Sequence, residues 1–170
     1  MPALHDYVLY KFPQQLGGLD TWIGKAIEHA QDKGFDPDTF VDMRLAPDQF
    51  GFGRQIQACC DIAKFAAART SAKQAPKHED TEKSLEELRA RIKTTLDYVG
   101  TFKPDDIGPE DREIRLPFME GKALKAGDYI LDFAGPNFGF HLTMSYAILR
   151  SCGVKLGKRD YLINMRLYDV

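Results

Sequence analysis

The sequence contains little cysteine and no long apolar run, and each shortage excludes a class of protein. Its three cysteines are an adjacent pair, Cys59 and Cys60, and a distant Cys152, without the C-x-x-C spacing of zinc and redox motifs. An odd number of cysteines in this arrangement is typical of reduced thiols packed in a core rather than of a disulfide framework. The longest apolar runs, such as 62–68 with its internal Lys64, are far too short to span a membrane.

Neither a targeting segment nor a basic surface is expected from the sequence. Residues 1–6 have neither the basic start nor the apolar core of a secretory signal, so we expect the protein to stay in the cytoplasm. The 23 basic and 25 acidic side chains are interleaved and leave a net charge of −2. Nucleic-acid binding would need a basic face, and we therefore expect neither a nucleic acid nor a membrane as partner.

Apolar residues recur with helical spacing in four segments, at about 4–33, 47–69, 81–99 and 127–152. Pro13 predicts a kink or a late start in the first helix, and Gly135-Pro136 predicts an interruption of the fourth. Proline suits a first helical turn, so the second helix is predicted to open near Pro47-Asp48. Asp80 or Thr81 is the predicted cap of the third.

Between the third and fourth helices the helical pattern disappears. Residues 112–116 alternate with period two, Glu120-Gly121 supplies a turn, and 122–125 can return as a second strand. The sequence therefore predicts an all-α fold, a four-helix bundle with a small β-hairpin between helices three and four. A chain of 170 residues is long enough for one sizeable core, and we expect a single domain over 1–170.

Helical projection also assigns polar side chains to faces. On the second helix Arg54, Gln57, Asp61 and Lys64 are predicted to face water, whereas Gln55 falls in the apolar sector. On the third helix the charged residues, including Arg91, are predicted to form a solvated surface.

The fourth helix places a polar row on its apolar face, formed by Asn137, His141 and Ser145. One interpretation is a pocket, shared with Gln55, in which a neutral imidazole acts as base, acid or hydrogen-bond partner of a small ligand. The other is a hydrogen-bond network that fixes the helix register, because unpaired buried polar groups cost about 1–3 kcal/mol each. The adjoining Pro136-Asn137 predicts either a new helix N-terminus that binds an anion or a kink.

Four separated motifs resemble those of an uncharacterised domain-of-unknown-function family related to the DinB/YfiT-like helical bundles. They are Arg44-Leu45-Ala46-Pro47-Asp48, Arg54-Gln55-Ile56-Gln57, Pro136-Asn137-Phe138-Gly139-Phe140-His141 and Gly157-Lys158-Arg159-Asp160-Tyr161-Leu162. The resemblance covers about 4–162 and implies a DinB-like four-helix bundle that forms a homodimer. The chain departs from the closer family at Gly139, where an aromatic residue is expected, and at His5, where tyrosine is expected.

The wider superfamily contains metalloenzymes and thiol transferases that hold a divalent metal through three histidines. The resemblance matches His141 to the first of a pair spaced four apart, but Ser145 stands at the second position and helix two contains no histidine. Since a zinc- or nickel-type site needs about three protein ligands, we predict no metal or other cofactor, with His141 as the only candidate ligand.

Two functions remain open. The first is a dimeric small-ligand-binding or non-catalytic module with a degenerate DinB-type site. The second is a DinB-like small-molecule enzyme of the thiol-transferase type that uses His141 in an inward polar pocket. The candidate pocket residues for both are His141, Asn137, Ser145, Gln55 and His5.

Overall fold

Four long helices, α1 to α4, carry most of the chain in the computed structural model, which describes residues 4–163, 165 and 167–169. The simplest two are α2 at Phe52–Ser71 and α3 at Leu85–Val99. The composite α1 comprises Leu4–Asp6, the π-helical turn Tyr7–Lys11 and Phe12–Lys33. The composite α4 comprises Ala126–Asp128, the π-helical turn Tyr129–Ala134 and Gly135–Ser151, and a short α5 follows at Lys158–Tyr161.

These helices form the predicted bundle. α2 packs against both α3 and α4, and α1 packs against all three. The predicted apolar stripe of α1 is buried, with Leu16, Leu19 and Ile23 fully inaccessible to solvent. Each such side chain contributes about 1.5–3 kcal/mol when it leaves water. The hydrophobic pattern therefore accounts for the all-α fold, and that prediction is confirmed.

The predicted hairpin is also present between α3 and α4. Strands β1 at Glu113–Ile114 and β2 at Leu124–Lys125 are antiparallel, with Ile114 opposite Leu124. Ile114 is buried, so the hairpin joins the bundle's core through this residue. Two 3₁₀ turns, Pro37–Asp42 and Pro104–Asp106, complete the connections.

Both prolines inside the long helices follow a π-helical turn. The residue before each proline donates its amide to a carbonyl five residues back. Phe12 donates to the Tyr7 carbonyl, and Gly135 donates to the Ile130 carbonyl. A proline has no amide to donate, and the wider turn accommodates that loss. The predicted interruption at Gly135-Pro136 is wrong, because Ala134 and Gly135 keep helical dihedral angles. No helix N-terminus for anion binding forms there.

The start of α2 differs from the prediction. Pro47 and Asp48 lie in a turn, and the helix begins five residues after Pro47, at Phe52. The Phe52 amide donates to the Met43 carbonyl at 2.9 Å, and the Phe52 side chain is fully buried. Residues 43–51 therefore form a loop that closes on itself, which we call the 43–51 loop.

The start of α3 was also predicted too early. Ser84, rather than Asp80 or Thr81, caps the helix: its hydroxyl accepts from the Glu87 amide, and the Glu87 carboxylate accepts from the Ser84 amide. This reciprocal pair satisfies two amides that the helix itself leaves unpaired.

The faces of α2 and α3 that were predicted to be exposed to solvent are partly buried. They carry a group of charged side chains, which we call the charged cluster. Its centre is Arg91 of α3, whose side chain is only 4% exposed and contacts Glu82, Asp61 and Asp80. Lys64 of α2, 3% exposed, pairs with Asp61 at 2.7 Å. Gln57 is buried as well and donates to Glu82 at 2.8 Å. The prediction of solvent-facing side chains at Gln57, Lys64 and Arg91 is therefore wrong, because residues 72–84 cross over these faces.

The chain after α4 returns to α1. The Trp22 indole donates to the Asp160 carbonyl at 3.1 Å, and Lys25 pairs with the Asp160 carboxylate at 2.5 Å. The Trp22 ring also stacks on Tyr161 with 5.8 Å between centroids. Across the residues that the structure describes, no helix is long and apolar enough to cross a membrane.

Candidate functional site around His141

His141 of α4 is hydrogen-bonded to Gln55 of α2. Its Nδ1 lies 2.6 Å from the Oε1 atom of Gln55, and the Nε2 atom of Gln55 donates to the Phe50 carbonyl at 3.0 Å. Because the Gln55 amide nitrogen is directed to a carbonyl, its oxygen must accept from His141, and Nδ1 carries the proton. In the neutral ring Nε2 then holds the lone pair. The sequence placed these two residues together, and the structure joins them directly.

The surroundings of His141 favour its neutral form. Burial lowers the pKa of the imidazole, and the positive charge of Arg54 lowers it further. An ordinary histidine titrates near 6.5, so this ring is predominantly neutral at pH 7. The site therefore presents an uncharged acceptor at Nε2.

Two exposed aromatic rings flank the imidazole. Phe50, from the 43–51 loop, stacks nearly parallel to it at 6.3 Å, and Phe140 meets it edge-on at 5.3 Å. Each phenylalanine is about half exposed, at 52% and 53%. The Arg54 guanidinium lies 5.6 Å from the centre of the Phe50 ring. Apolar side chains this exposed beside a polar group are a common feature of ligand sites.

Gln49, also in the 43–51 loop, is incompletely hydrogen-bonded beside the site. Its amide nitrogen contacts the Sδ atom of Met144, one helical turn beyond His141, at 2.8 Å. Its Oε1 atom is buried and has no hydrogen-bond partner among the described residues. A buried acceptor left in this way costs about 1–3 kcal/mol, which a rearranged loop or a bound donor would recover.

The other predicted pocket residues are placed differently. Ser145 is fully buried, but its hydroxyl donates to the His141 carbonyl within the same helix. Asn137 is half-buried one turn before His141, and His5 is half-buried in the first turn of α1. Within the described part of the chain, neither side chain has a hydrogen bond or ring contact with the His141 ring.

Sequence reasoning missed Phe50, Phe140, Arg54 and Gln49 as members of this site. Phe50 and Gln49 lie directly after the Arg44–Asp48 motif, and Phe140 lies within the motif that ends at His141. The signal available in the sequence was the motifs themselves, because all four residues lie within or directly after one of them. The folded chain brings the 43–51 loop, the start of α2 and the middle of α4 together.

The donor set does not fit the three-ligand metal site of the wider superfamily. His141 offers a single ligand atom, Nε2, because its Nδ1 donates to Gln55, and the Ser145 hydroxyl is engaged by a backbone carbonyl. α2 offers no histidine. Over the described residues, no group of three or more His, Cys, Asp or Glu side chains is arranged to hold a metal ion.

Comparisons with known proteins agree with the motifs. Residues 4–162 match the family described as domain of unknown function DUF1993. The fold is similar to the crystal structure of a DinB family member protein from Shewanella denitrificans, with a TM-score of 0.94 and 38% sequence identity, covering 98% of this chain and 96% of that chain. No curated protein matches the chain. The chain belongs to the DUF1993 family, a domain of unknown function related to the DinB-like helical bundles.

Proposed function

We propose that this protein is a cytoplasmic, homodimeric module that binds a small ligand at His141. The observation that carries the proposal is the directed chain of hydrogen bonds from His141 through Gln55 to the Phe50 carbonyl. It fixes the proton on Nδ1 and leaves Nε2 as an acceptor between two exposed rings.

The chemistry of the site supports a particular kind of ligand. Phe50 and Phe140 suit a flat apolar body, since aromatic rings gain from offset or edge-on contact with one another. The Nε2 lone pair suits an O–H or N–H donor on that body. We therefore infer a small aromatic or heterocyclic ligand with one hydrogen-bond donor.

Separate observations support the homodimer and the cytoplasmic location. The family resemblance favours a dimer. Three free cysteines favour a reducing compartment. The mass of the purified protein by light scattering tests the first proposal.

A second candidate function is catalysis with His141 as general base. It is favoured by the neutral ring, whose Nε2 has no hydrogen-bond partner among the described residues. In that case hydrolysis of p-nitrophenyl acetate would depend on a group with a pKa below 6.5 and would disappear in His141→Gln. A binding module would show no such dependence.

Binding is tested with phenol and anisole, followed by NMR on the isotope-labelled full chain. Phenol has a flat ring and an O–H donor, whereas anisole has the ring alone. We expect phenol to shift the His141 Nε2 resonance and to bind at least about fivefold more tightly than anisole, which corresponds to one hydrogen bond of about 1 kcal/mol. His141→Gln should remove this preference, and the control His29→Gln should retain it.

Two outcomes would contradict the proposal. One is equal affinity for phenol and anisole, since the donor would then have no role. The other is a set of shifted resonances far from Phe50, His141 and Phe140, which would place the binding elsewhere.

A further inference from the structure

The connection between α2 and α3 crosses the bundle without regular structure. This segment, residues 72–84, is called the strap. Its only apolar residues are Ala72, Ala75 and Pro76, and none of them is buried. Hydrophobic burial therefore contributes little to holding the strap on the helices.

Charged side chains attach the strap instead. Glu82 contacts the Arg91 guanidinium at 2.9 Å, and Asp80 contacts it at 3.2 Å. Asp80 also pairs with Arg54. Between residues 74 and 82 the one backbone hydrogen bond in the described structure is donated by the Tyr98 hydroxyl to the Gln74 carbonyl, at 3.2 Å. Other backbone hydrogen bonds lie at the ends: the Lys73 amide donates to the Ala68 carbonyl at 3.0 Å, the Lys83 amide to the Glu87 carboxylate at 2.6 Å, and the Leu85 amide, just after the strap, to Asp38 at 2.8 Å.

His78 lies among cations in the attached strap. Its Nδ1 is 3.5 Å from the Lys64 amine, and Arg91 of α3 acts on it from the other helix. The acidic groups that face it are Asp61 of α2 and Glu82 of the strap itself. A proton on His78 would add a third positive charge beside Lys64 and Arg91, and like charges in close contact repel.

Beneath the strap, two cations are almost completely shielded. The side chains of Arg91 and Lys64 are 4% and 3% exposed, and the Nε atom of Arg91 has no hydrogen-bond partner in the described chain. Opening the strap would return these groups to water and remove part of their desolvation cost. The attached and open states are therefore closer in free energy than the short ion-pair distances alone would indicate.

We propose that the strap is a reversible cover whose attachment depends on charge: it is docked at neutral pH and low salt, and it opens in mild acid or high salt to expose Arg91 and Lys64. His78 is the group that responds between pH 5 and 8. Burial next to Lys64 and Arg91 lowers its pKa, so the open strap takes up the proton more readily than the docked one. Docking therefore weakens as the pH falls through about 6.5.

The test is cleavage after Lys77 by a lysine-specific protease, with the 77–78 product quantified by mass spectrometry. Protection is the cleavage rate of a free peptide of residues 73–84 divided by the cleavage rate of the full chain at the same pH and salt. The activity of the protease cancels in this ratio. We expect the full chain to be protected at least about tenfold at pH 7.5 and low salt. At pH 5.5, or in high salt at pH 7.5, protection should fall at least about fivefold.

Variants that remove charges from the strap test whether those charges protect it from cleavage. Asp80→Asn/Glu82→Gln should lose most of it at pH 7.5, whereas Glu79→Gln removes one charge from an exposed position of the same strap and should keep it. His78→Gln should remain protected at pH 5.5. A thermal melt checks each variant for folding, and if the double variant is unfolded, Asp80→Asn and the salt series on the natural chain decide instead.

Three results would overturn the proposal. The first is cleavage of the natural chain at the rate of the free peptide at pH 7.5. The second is full protection in high salt and at pH 5.5. The third is an unchanged pH dependence in His78→Gln.

Discussion

One hydrogen bond, from His141 Nδ1 to Gln55 Oε1, connects α4 to α2 at the candidate site. We expect His141→Ala to lower the free energy of unfolding by about 1–3 kcal/mol, because it leaves the fully buried Gln55 oxygen without a donor. Gln55→Leu should cost a similar amount. The double variant should cost less than the sum of the two, and denaturant unfolding of all three proteins measures the coupling.

Ser145→Ala is the matched control for this cycle. Ser145 is also buried in α4, but its hydroxyl contacts only its own helix, so its removal should not couple to Gln55. Strict additivity of His141→Ala and Gln55→Leu would show that the 2.6 Å contact contributes nothing to stability.

At the residue scale the sequence predicted the direction of side chains better than their surroundings. Helical projection placed His141 and Gln55 on facing apolar sectors, and they meet. The same projection placed Arg91 and Lys64 in water, although both are buried. Helical projection shows which side chains share a face of one helix, but it does not show what covers that face. Here the strap covers it, and an irregular segment has no periodic pattern from which its position could be predicted. Phe50 was missed for the same reason, since it lies in a loop.

At the element scale, substitutions at two glycines of α4 test whether the π-helical turn constrains the sequence. A Cβ atom added at Gly135 would lie 2.8 Å from the Ile130 carbonyl oxygen, which accepts the π-helical hydrogen bond. We expect Gly135→Ala to destabilise the protein by about 1–3 kcal/mol, because backbone atoms cannot move aside easily. Thermal unfolding of the variant gives the direction and the size of the change.

Gly139→Ala is the matched substitution one turn later. A Cβ atom there would meet nothing within 4 Å, and alanine is a better helix former by about 0.5–1 kcal/mol. It should therefore stabilise the protein slightly. Equal effects of the two substitutions, in either direction, would show that the Ile130 carbonyl does not constrain position 135.

The ends of helices were predictable where a glycine follows the last helical residue, and less so where the only signal was a proline. Gly34 ends α1 in a left-handed conformation, directly after the predicted segment 4–33. Proline was the misleading signal: Pro47 suits a helix start but lies in a turn, and Pro136 suggests a break but follows a π-helical turn. Proline is compatible with several backbone conformations. Neighbouring contacts, such as the hydrogen bond from the Phe52 amide to the Met43 carbonyl, determine which of them forms.

At the scale of the whole molecule, we expect the purified protein to carry less than one equivalent of any transition metal after dialysis. His141 can supply one ligand atom, Nε2, and the superfamily's other two histidine positions are not histidines here. A tight zinc or nickel site needs about three protein ligands. Elemental analysis measures the content, and one equivalent of zinc that survives dialysis and is lost in His141→Gln would contradict this expectation.

The stability of the whole molecule should also fall in mild acid. Burial lowers the pKa of both His141 and His78, so the folded protein binds fewer protons at these groups than the unfolded chain does. Stability then rises with pH: the contribution is complete above the unfolded pKa of about 6.5 and is lost as the pH falls. We expect the melting temperature to decrease from pH 7.5 to pH 5 at constant ionic strength. Asp160, whose pKa is lowered chiefly by its hydrogen bond from Lys25, acts in a separate window below about pH 4.

Substitution of the two histidines isolates their part of the pH dependence. In His78→Gln/His141→Gln the decrease between pH 7.5 and 5 should be smaller than in the natural chain, whatever the change in the melting temperature at pH 7.5. The single variants should each remove part of it, and the parts should add, because the two residues lie in separate hydrogen-bond networks. If the double variant kept the full decrease, the proton-linked loss of stability would have to come from other groups, and the neutral state assigned to His141 would be wrong.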